Sequence, residues 1–119
     1  MDENCTVYRT MAYLSKRWSM LILLELFKGR DGSKRYTELK GDLPGITPKV
    51  LSTRLKELEA EGLIRKKVDL SSFPIRSDYQ LTPAGRALID VVKNLKAWAL
   101  VWKIDNEACM RMDCARCRL

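Results

Sequence analysis

Four cysteines are the residues of this chain best suited to metal or redox chemistry, and three of them lie close together near its end. Cys109, Cys114 and Cys117 follow the spacing C-x4-C-x2-C, which matches the first three ligands of a plant-type [2Fe–2S] cluster. Two cysteines separated by two residues also suit zinc or a redox disulfide. Cys5 is a candidate fourth ligand if the two ends of the chain meet.

Free thiols and disulfides are the competing interpretations of the same cysteines. The tail lacks the Gly- and Ser-rich loop that surrounds a ferredoxin cluster. The neighbouring Arg111, Arg116 and Arg118 favour thiolates. We therefore rank free thiols first, disulfides second and a metal or Fe–S cluster third, and we expect no cofactor.

The absence of histidine restricts what this chain can catalyse. It removes the usual general base of hydrolases and every metal site that contains histidine. Most carboxylates fall beside Lys or Arg on predicted helix surfaces, and the six glycines are scattered rather than gathered in a phosphate-binding loop. The sequence therefore predicts a protein that is not an enzyme.

Composition predicts a small basic domain. The chain has 119 residues, of which 46% are hydrophobic and 31% charged, so one core can form. The net charge of +7 favours a polyanionic partner such as nucleic acid, although charge can also serve solubility alone. No apolar run approaches the roughly 18 residues of a membrane span, and the acidic start at 1–5 does not resemble a signal peptide. We expect a cytoplasmic protein with no membrane partner.

Hydrophobic spacing and glycine or proline boundaries divide the first 104 residues into helices and a hairpin. The predicted helices cover 6–15, 17–28, 36–43, 48–61 and 83–104, and the predicted strands cover 63–69 and 75–81. Thr47-Pro48 and Thr82-Pro83 each carry the cap-plus-proline signal of a helix start. The fold class is mainly α with a small β-hairpin (α+β), with one domain at 1–104 and a Cys-containing tail at 105–119.

Two short helices across the Pro44-Gly45 turn, followed by a hairpin, are the order of a winged helix-turn-helix. A helix fits the DNA major groove and presents its first turns to base edges. Between Ser33 and Lys56 there are six basic and two acidic residues, whereas acidic residues dominate the end of the second helix. This charge distribution suits entry of the second helix into DNA.

The predicted DNA-contacting residues lie on the expected exposed surface of these helices, near their starts, or on the hairpin. They are Arg35, Tyr36, Thr37, Thr47, Lys49, Ser52, Thr53, Arg54, Lys56, Lys67 and Arg76. Arg65 and Lys66 are further hairpin cations that could reach the DNA backbone. The alternative interpretations are an ordinary amphipathic surface helix and hairpin cations that only keep the strands soluble.

The chain resembles the HxlR family of bacterial and archaeal regulators, a winged-helix group related to MarR. The resemblance covers Cys5 to about Trp102. It rests on an ordered set of segments: a cysteine near the N-terminus, Lys16-Arg17-Trp18, Arg35-Tyr36-Thr37-Glu38-Leu39, the run from Gly45 to Leu58, Glu61-Gly62-Leu63-Ile64, and Tyr79-Gln80-Leu81-Thr82-Pro83-Ala84-Gly85. It implies a DNA-binding transcriptional regulator.

The resemblance also implies a homodimer built from the first and last helices. The last helix is apolar over more of its girth than one small core would cover. The predicted interface residues are Val7, Tyr8, Met11, Leu88, Val91, Leu95, Trp98 and Trp102. The alternative is that both tryptophans fill the core of a monomer.

Through the same resemblance, Cys5 is a candidate sensor of oxidants or electrophiles. The chain departs from the family here, because Thr6 follows Cys5 where the family usually has proline, and Ser15-Lys16-Arg17-Trp18 lacks the usual glycine. An unreactive Cys5 thiol is the competing interpretation.

The function predicted from the sequence is sequence-specific transcription regulation by a homodimer on double-stranded DNA with a pseudo-palindromic operator. The first alternative is a winged-helix module that binds protein. The second is a metal- or redox-sensing protein that uses the cysteine tail.

Overall fold

The computed structural model describes residues 2–71, 73 and 75–117. The helices are α1 (Thr6–Leu14), α2 (Ser19–Lys28), α3 (Tyr36–Asp42), α4 (Pro48–Ala60), α5 (Pro83–Trp102) and α6 (Glu107–Arg111). The strands are β1 (Ser33–Arg35), β2 (Ile64–Asp69) and β3 (Arg76–Leu81), and short 3-10 turns cover Arg30–Gly32 and Cys114–Arg116. The prediction of a mainly helical winged helix-turn-helix is confirmed.

The sheet has three antiparallel strands in the order β1-β3-β2, so the hairpin is extended by one strand that the sequence did not predict. Lys34 of β1 and Lys66 of β2 both pair with Tyr79 in the central strand. A strand of three residues is too short to show an alternating apolar pattern. It forms because β3 offers it a free edge.

The core lies around α2, whose Ile22, Leu23 and Leu26 are fully buried. This confirms α2 as the central helix, although it begins at Ser19 rather than at residue 17. Trp18 has a left-handed backbone with φ of 82°, which a continuous helix does not tolerate. The guanidinium of Arg17 lies 5.0 Å from the Trp18 ring centroid, a cation–π contact beside this break.

Both threonine caps predicted from the sequence are present. The Thr47 hydroxyl accepts a hydrogen bond from the Val50 amide at 3.2 Å, and Thr82 accepts one from the Gly85 amide at 3.2 Å. Thr82 also donates to the Gly62 carbonyl at 2.6 Å. The Thr47 cap therefore sets the start of α4, the second helix of the helix-turn-helix. The Thr82 cap joins the start of α5 to the entrance of β2.

The tail forms local structure that the sequence did not predict. Asn106 caps α6 by accepting the Cys109 amide at 3.0 Å, and the Cys114–Arg116 turn packs against α2. Residues 118 and 119, which the predicted tail included, lie outside the described residues. Within the described part of the chain, no helix is long and apolar enough to cross a membrane.

Candidate nucleic-acid interface

The α3–turn–α4 unit is held together by hydrogen bonds from its own residues. Glu38 accepts the Arg35 amide at 3.1 Å, which caps α3. Gly45 takes a left-handed φ of 91° in the turn. The Tyr36 hydroxyl donates to the Pro48 carbonyl at 3.3 Å, so the start of α3 is joined to the first turn of α4.

Helix α4 separates an apolar face from a polar one. Leu51, Leu55 and Leu58 are buried against the core, as the sequence predicted. The N-cap and the outer face present four of the predicted DNA contacts to solvent: Thr47, Lys49, Thr53 and Lys56. The helix therefore offers two ammonium groups and two hydroxyls on one free surface.

A groove with a volume of about 670 Å³ lies between α3, α4 and the hairpin. Its walls include five predicted contacts: Arg35, Tyr36, Thr37, Ser52 and Arg76. Lys66 also lines it, with its ammonium 5.9 Å from the ring centroid of the buried Tyr79. Arg35, Lys66 and Arg76 thus line one groove beside the exposed face of α4, although the Arg76 guanidinium is also paired with Asp78. Cations along such a groove suit a polyanion.

The hairpin register separates two neighbouring lysines. Lys66 pairs with Tyr79 and Lys67 pairs with Asp78, so their side chains leave opposite faces of the sheet. Arg76 Nε donates to Asp78 Oδ1 at 3.1 Å, so the carboxylate opposite Lys67 is already paired with Arg76. The sequence named both lysines as cations that could reach DNA, but it could not say which of them faces the groove, because the face of a strand residue depends on its pairing partner.

Arg54, another predicted DNA contact, is engaged within the protein. Its Nε donates to the Arg17 carbonyl at 2.9 Å and its Nη1 to Glu57 at 2.7 Å. Glu57 also forms an ion pair with Lys16. The hydrogen bond from Lys16, with a further one from Arg54, lowers the pKa of Glu57 despite the opposing effect of burial. This cluster attaches α4 to the segment between α1 and α2.

A broad apolar surface follows α1 and α5. Six of the predicted interface residues are exposed: Val7, Tyr8, Met11, Val91, Leu95 and Trp98. Trp102 is 71% exposed and the neighbouring Val101, which the sequence reasoning missed, is 75% exposed. Trp98 and Trp102 therefore do not fill the core of this chain. Leu88 differs from the others, because it is half-buried and packs against that core.

All four cysteines are half-buried. Over residues 2–71, 73 and 75–117, no three Cys, Asp or Glu side chains come together as a metal site.

A tight helix–turn–helix with a solvent-facing basic helix, flanked by a β-hairpin, defines a winged-helix DNA-binding protein. Comparison with known families agrees with this class. Residues 13–107 match the HxlR-like helix-turn-helix family. The chain belongs to this family, whose relatives are HTH-type transcriptional regulators.

Individual relatives match over most of their length. The HTH-type transcriptional regulator YvaP of Bacillus subtilis is 42% identical over 102 residues, which cover 85% of this chain and 91% of YvaP. A MarR-family regulator structure from Porphyromonas gingivalis W83 has a TM-score of 0.75 at 33% identity, covering 87% and 97% of the two chains.

A third relative has been solved in more than one chemical state. The reduced form of YodB from B. subtilis has a TM-score of 0.74 at 33% identity, covering 87% of this chain and 98% of YodB. Its diamide-treated form has a TM-score of 0.68 at 34% identity, covering 85% and 97%.

Proposed function

We propose that this regulator binds double-stranded DNA as a homodimer in the cytoplasm, with α4 in the major groove of each half of a pseudo-palindromic operator. The observation that carries the proposal is the groove lined by Arg35, Lys66 and Arg76 beside the exposed face of α4. Such a surface neutralises phosphates on both sides of a helix inserted between them.

Position on the fold suggests a role for each side chain. Lys49, Ser52 and Thr53 lie in the first two turns of α4, where base edges are read. Phosphates are contacted by the residues around that helix: Arg35, Tyr36, Thr37, Thr47, Lys56, Lys66 and Arg76. Lys67 contributes less, because its side chain leaves the face of the sheet opposite to that of Lys66. Arg54 positions α4 through Arg17 and Glu57 rather than contacting DNA.

The apolar surface of α1 and α5 supports the dimer. Exposed aromatic and aliphatic side chains of this number, including Trp98 and Trp102, favour a buried interface over solvent. A twofold dimer would place two α4 helices about one or two DNA turns apart, in keeping with a pseudo-palindrome.

The salt dependence of DNA binding tests the proposal with Lys66→Ala and the matched control Lys67→Ala. Fluorescence anisotropy with a duplex from upstream of the chain's own gene would give Kd between 50 and 200 mM salt. Removing one phosphate contact in each subunit should reduce the slope of log K against log salt by about 1.8 for Lys66→Ala. Lys67→Ala should change the slope by less than half as much.

A slope for Lys66→Ala equal to that of the unmodified chain would show that the groove is not the DNA surface. If the unmodified chain binds neither this duplex nor a scrambled one, the winged-helix module that binds protein becomes the better interpretation. A scrambled duplex bound as tightly as the upstream one would argue against a specific operator at that position.

We also propose that DNA binding responds to oxidation or electrophiles through Cys5. Cys5 is half-buried at the N-cap position of α1, next to the proposed dimer surface. The diamide-treated form of the relative YodB supports treating this chain in the same way. Anisotropy of reduced and diamide-treated protein should differ, and the difference should disappear in Cys5→Ser. A difference that persists in Cys5→Ser would assign the response to other thiols.

A further inference from the structure

The C-terminal turn brings two cysteines into one hydrogen-bonded loop. The Cys117 amide donates to the Cys114 carbonyl at 3.3 Å, which closes a 3-10 turn over Cys114–Arg116. Such a turn holds the first and fourth α-carbons within about 7 Å, close to the range that a disulfide spans. Cys109 lies in α6, outside this turn.

Neighbouring groups hold the turn in this conformation. Asp113 accepts the Ala115 amide at 2.9 Å. This hydrogen bond, with the positive charges of Lys93, Arg116 and Lys96, lowers the pKa of Asp113 despite the opposing effect of burial. The turn also packs against α2. Cys114 and Cys117 are therefore part of an ordered turn that packs against the domain.

One lysine of α5 contacts the turn at the thiol itself. Lys96 Nζ donates to the Met112 carbonyl at 2.7 Å and lies 3.8 Å from Cys114 Sγ. The carbonyl bond fixes the ammonium in place. An ammonium this close to a sulfur favours attack by that sulfur, because the nucleophile in thiol–disulfide exchange carries negative charge.

We propose that Cys114 and Cys117 form a redox-active dithiol, with Lys96 as its positioning residue and a low-molecular-weight disulfide as its oxidant. The Cys114 thiolate attacks one sulfur of the small disulfide, breaks its S–S bond and releases one thiolate. The Cys117 thiolate then attacks Cys114 Sγ, breaks the mixed disulfide and releases the second thiolate. The two cysteines lose two electrons and two protons, and the small disulfide becomes two thiols.

The reaction changes the contact between the tail and α5. Cys114 lines a groove with Lys93 and Lys96, whereas Cys117 lines a different groove beside Lys34. Bond formation therefore turns at least one cysteine side chain away from its reduced position. This site is separate from Cys5 and does not depend on DNA binding.

Peptide mapping of the full chain tests the pairing. The reduced protein is incubated with 2-hydroxyethyl disulfide, alkylated and digested with trypsin, which separates all four cysteines into different peptides. We expect a disulfide-linked pair of Met112–Arg116 with the dipeptide 117–118. Cys114 linked mainly to Cys5 or Cys109, or left as a stable mixed disulfide, would overturn the proposal.

The rate of mixed-disulfide formation tests Lys96. At pH 7, Lys96→Gln should slow the reaction of Cys114 about two- to threefold, because the charge is lost while part of the effect is offset by higher nucleophilicity. Lys96→Arg should restore the rate, and Lys93→Gln serves as the matched control. Cys5 in the same samples reports general disturbance of the fold. Equal Cys114 rates in all variants would refute a role for Lys96.

Discussion

Replacing Gly85 with alanine should destabilise the protein, although Gly85 is in a helix. It is buried in the first turn of α5, and a β-carbon there would overlap the Leu63 carbonyl oxygen and approach Leu81 Cδ2 to 3.1 Å. The same carbonyl accepts the Thr82 amide at 3.1 Å. The added methyl group must therefore move either α5 or the backbone that leads into β2.

The expected change in the free energy of unfolding is the sum of two costs and one gain. Overpacking a close contact costs about 1–3 kcal/mol, and weakening the Thr82–Leu63 hydrogen bond costs about 1 kcal/mol more. The higher helix propensity of alanine returns about 1 kcal/mol. The net expectation for Gly85→Ala is a loss of about 1–3 kcal/mol in the free energy of unfolding.

Gly41→Ala is the matched control. Gly41 is exposed in α3, with nothing within 4 Å of the added β-carbon, so the helix-propensity gain of about 0.5–1 kcal/mol should appear undiminished. Urea unfolding at one fixed protein concentration, followed by circular dichroism, measures both variants. The two midpoints should move in opposite directions. Midpoints that rise together would refute the close contact at Gly85.

Two further predictions concern the acid range and the apolar surface. Because the pKa of Glu57 is lowered in the folded state, its stabilisation is fully present above its ordinary value of 4.5 and is lost as the pH falls through the lowered value. Glu57→Gln should therefore lower the free energy of unfolding by about 0.5–1 kcal/mol at pH 7 and leave it unchanged near pH 2. The exposed Glu61→Gln is the control and should match the parent protein at both pH values. A loss of stability in Glu57→Gln that does not depend on pH would contradict this reasoning. Trp102→Ser should raise the dissociation constant of the proposed dimer at least tenfold, as measured by sedimentation equilibrium, with Lys103→Ser as the control. If Trp102→Ser dimerises as tightly as the parent protein, the interface lies elsewhere.

Much of the architecture is encoded locally and was predicted from the sequence. Leu51, Leu55 and Leu58 predicted the buried stripe of α4, and the two Thr-Pro pairs predicted where α4 and α5 begin. These signals depend on residues within one or two turns of each other, so no knowledge of distant contacts is needed. The same local segments carried the resemblance to the HxlR family.

Other features were decided only when distant segments met. Strand β1 exists because β3 pairs with it, and the choice between Lys66 and Lys67 in the groove depends on the register of β2 against β3. Arg54 is a predicted DNA contact, and only the tertiary structure brings its Nε to the Arg17 carbonyl, 37 residues away.

The glycines show the same difference between local and tertiary effects. Gly41 and Gly85 are equivalent by helix propensity, which is a local property, yet only Gly85 lies against the backbone of another element. The sequence by itself determined the helices, their caps and the class of the protein, because neighbouring residues specify them. The tertiary structure decided which side chains face the groove, since strand register and helix docking join residues that are far apart in the chain.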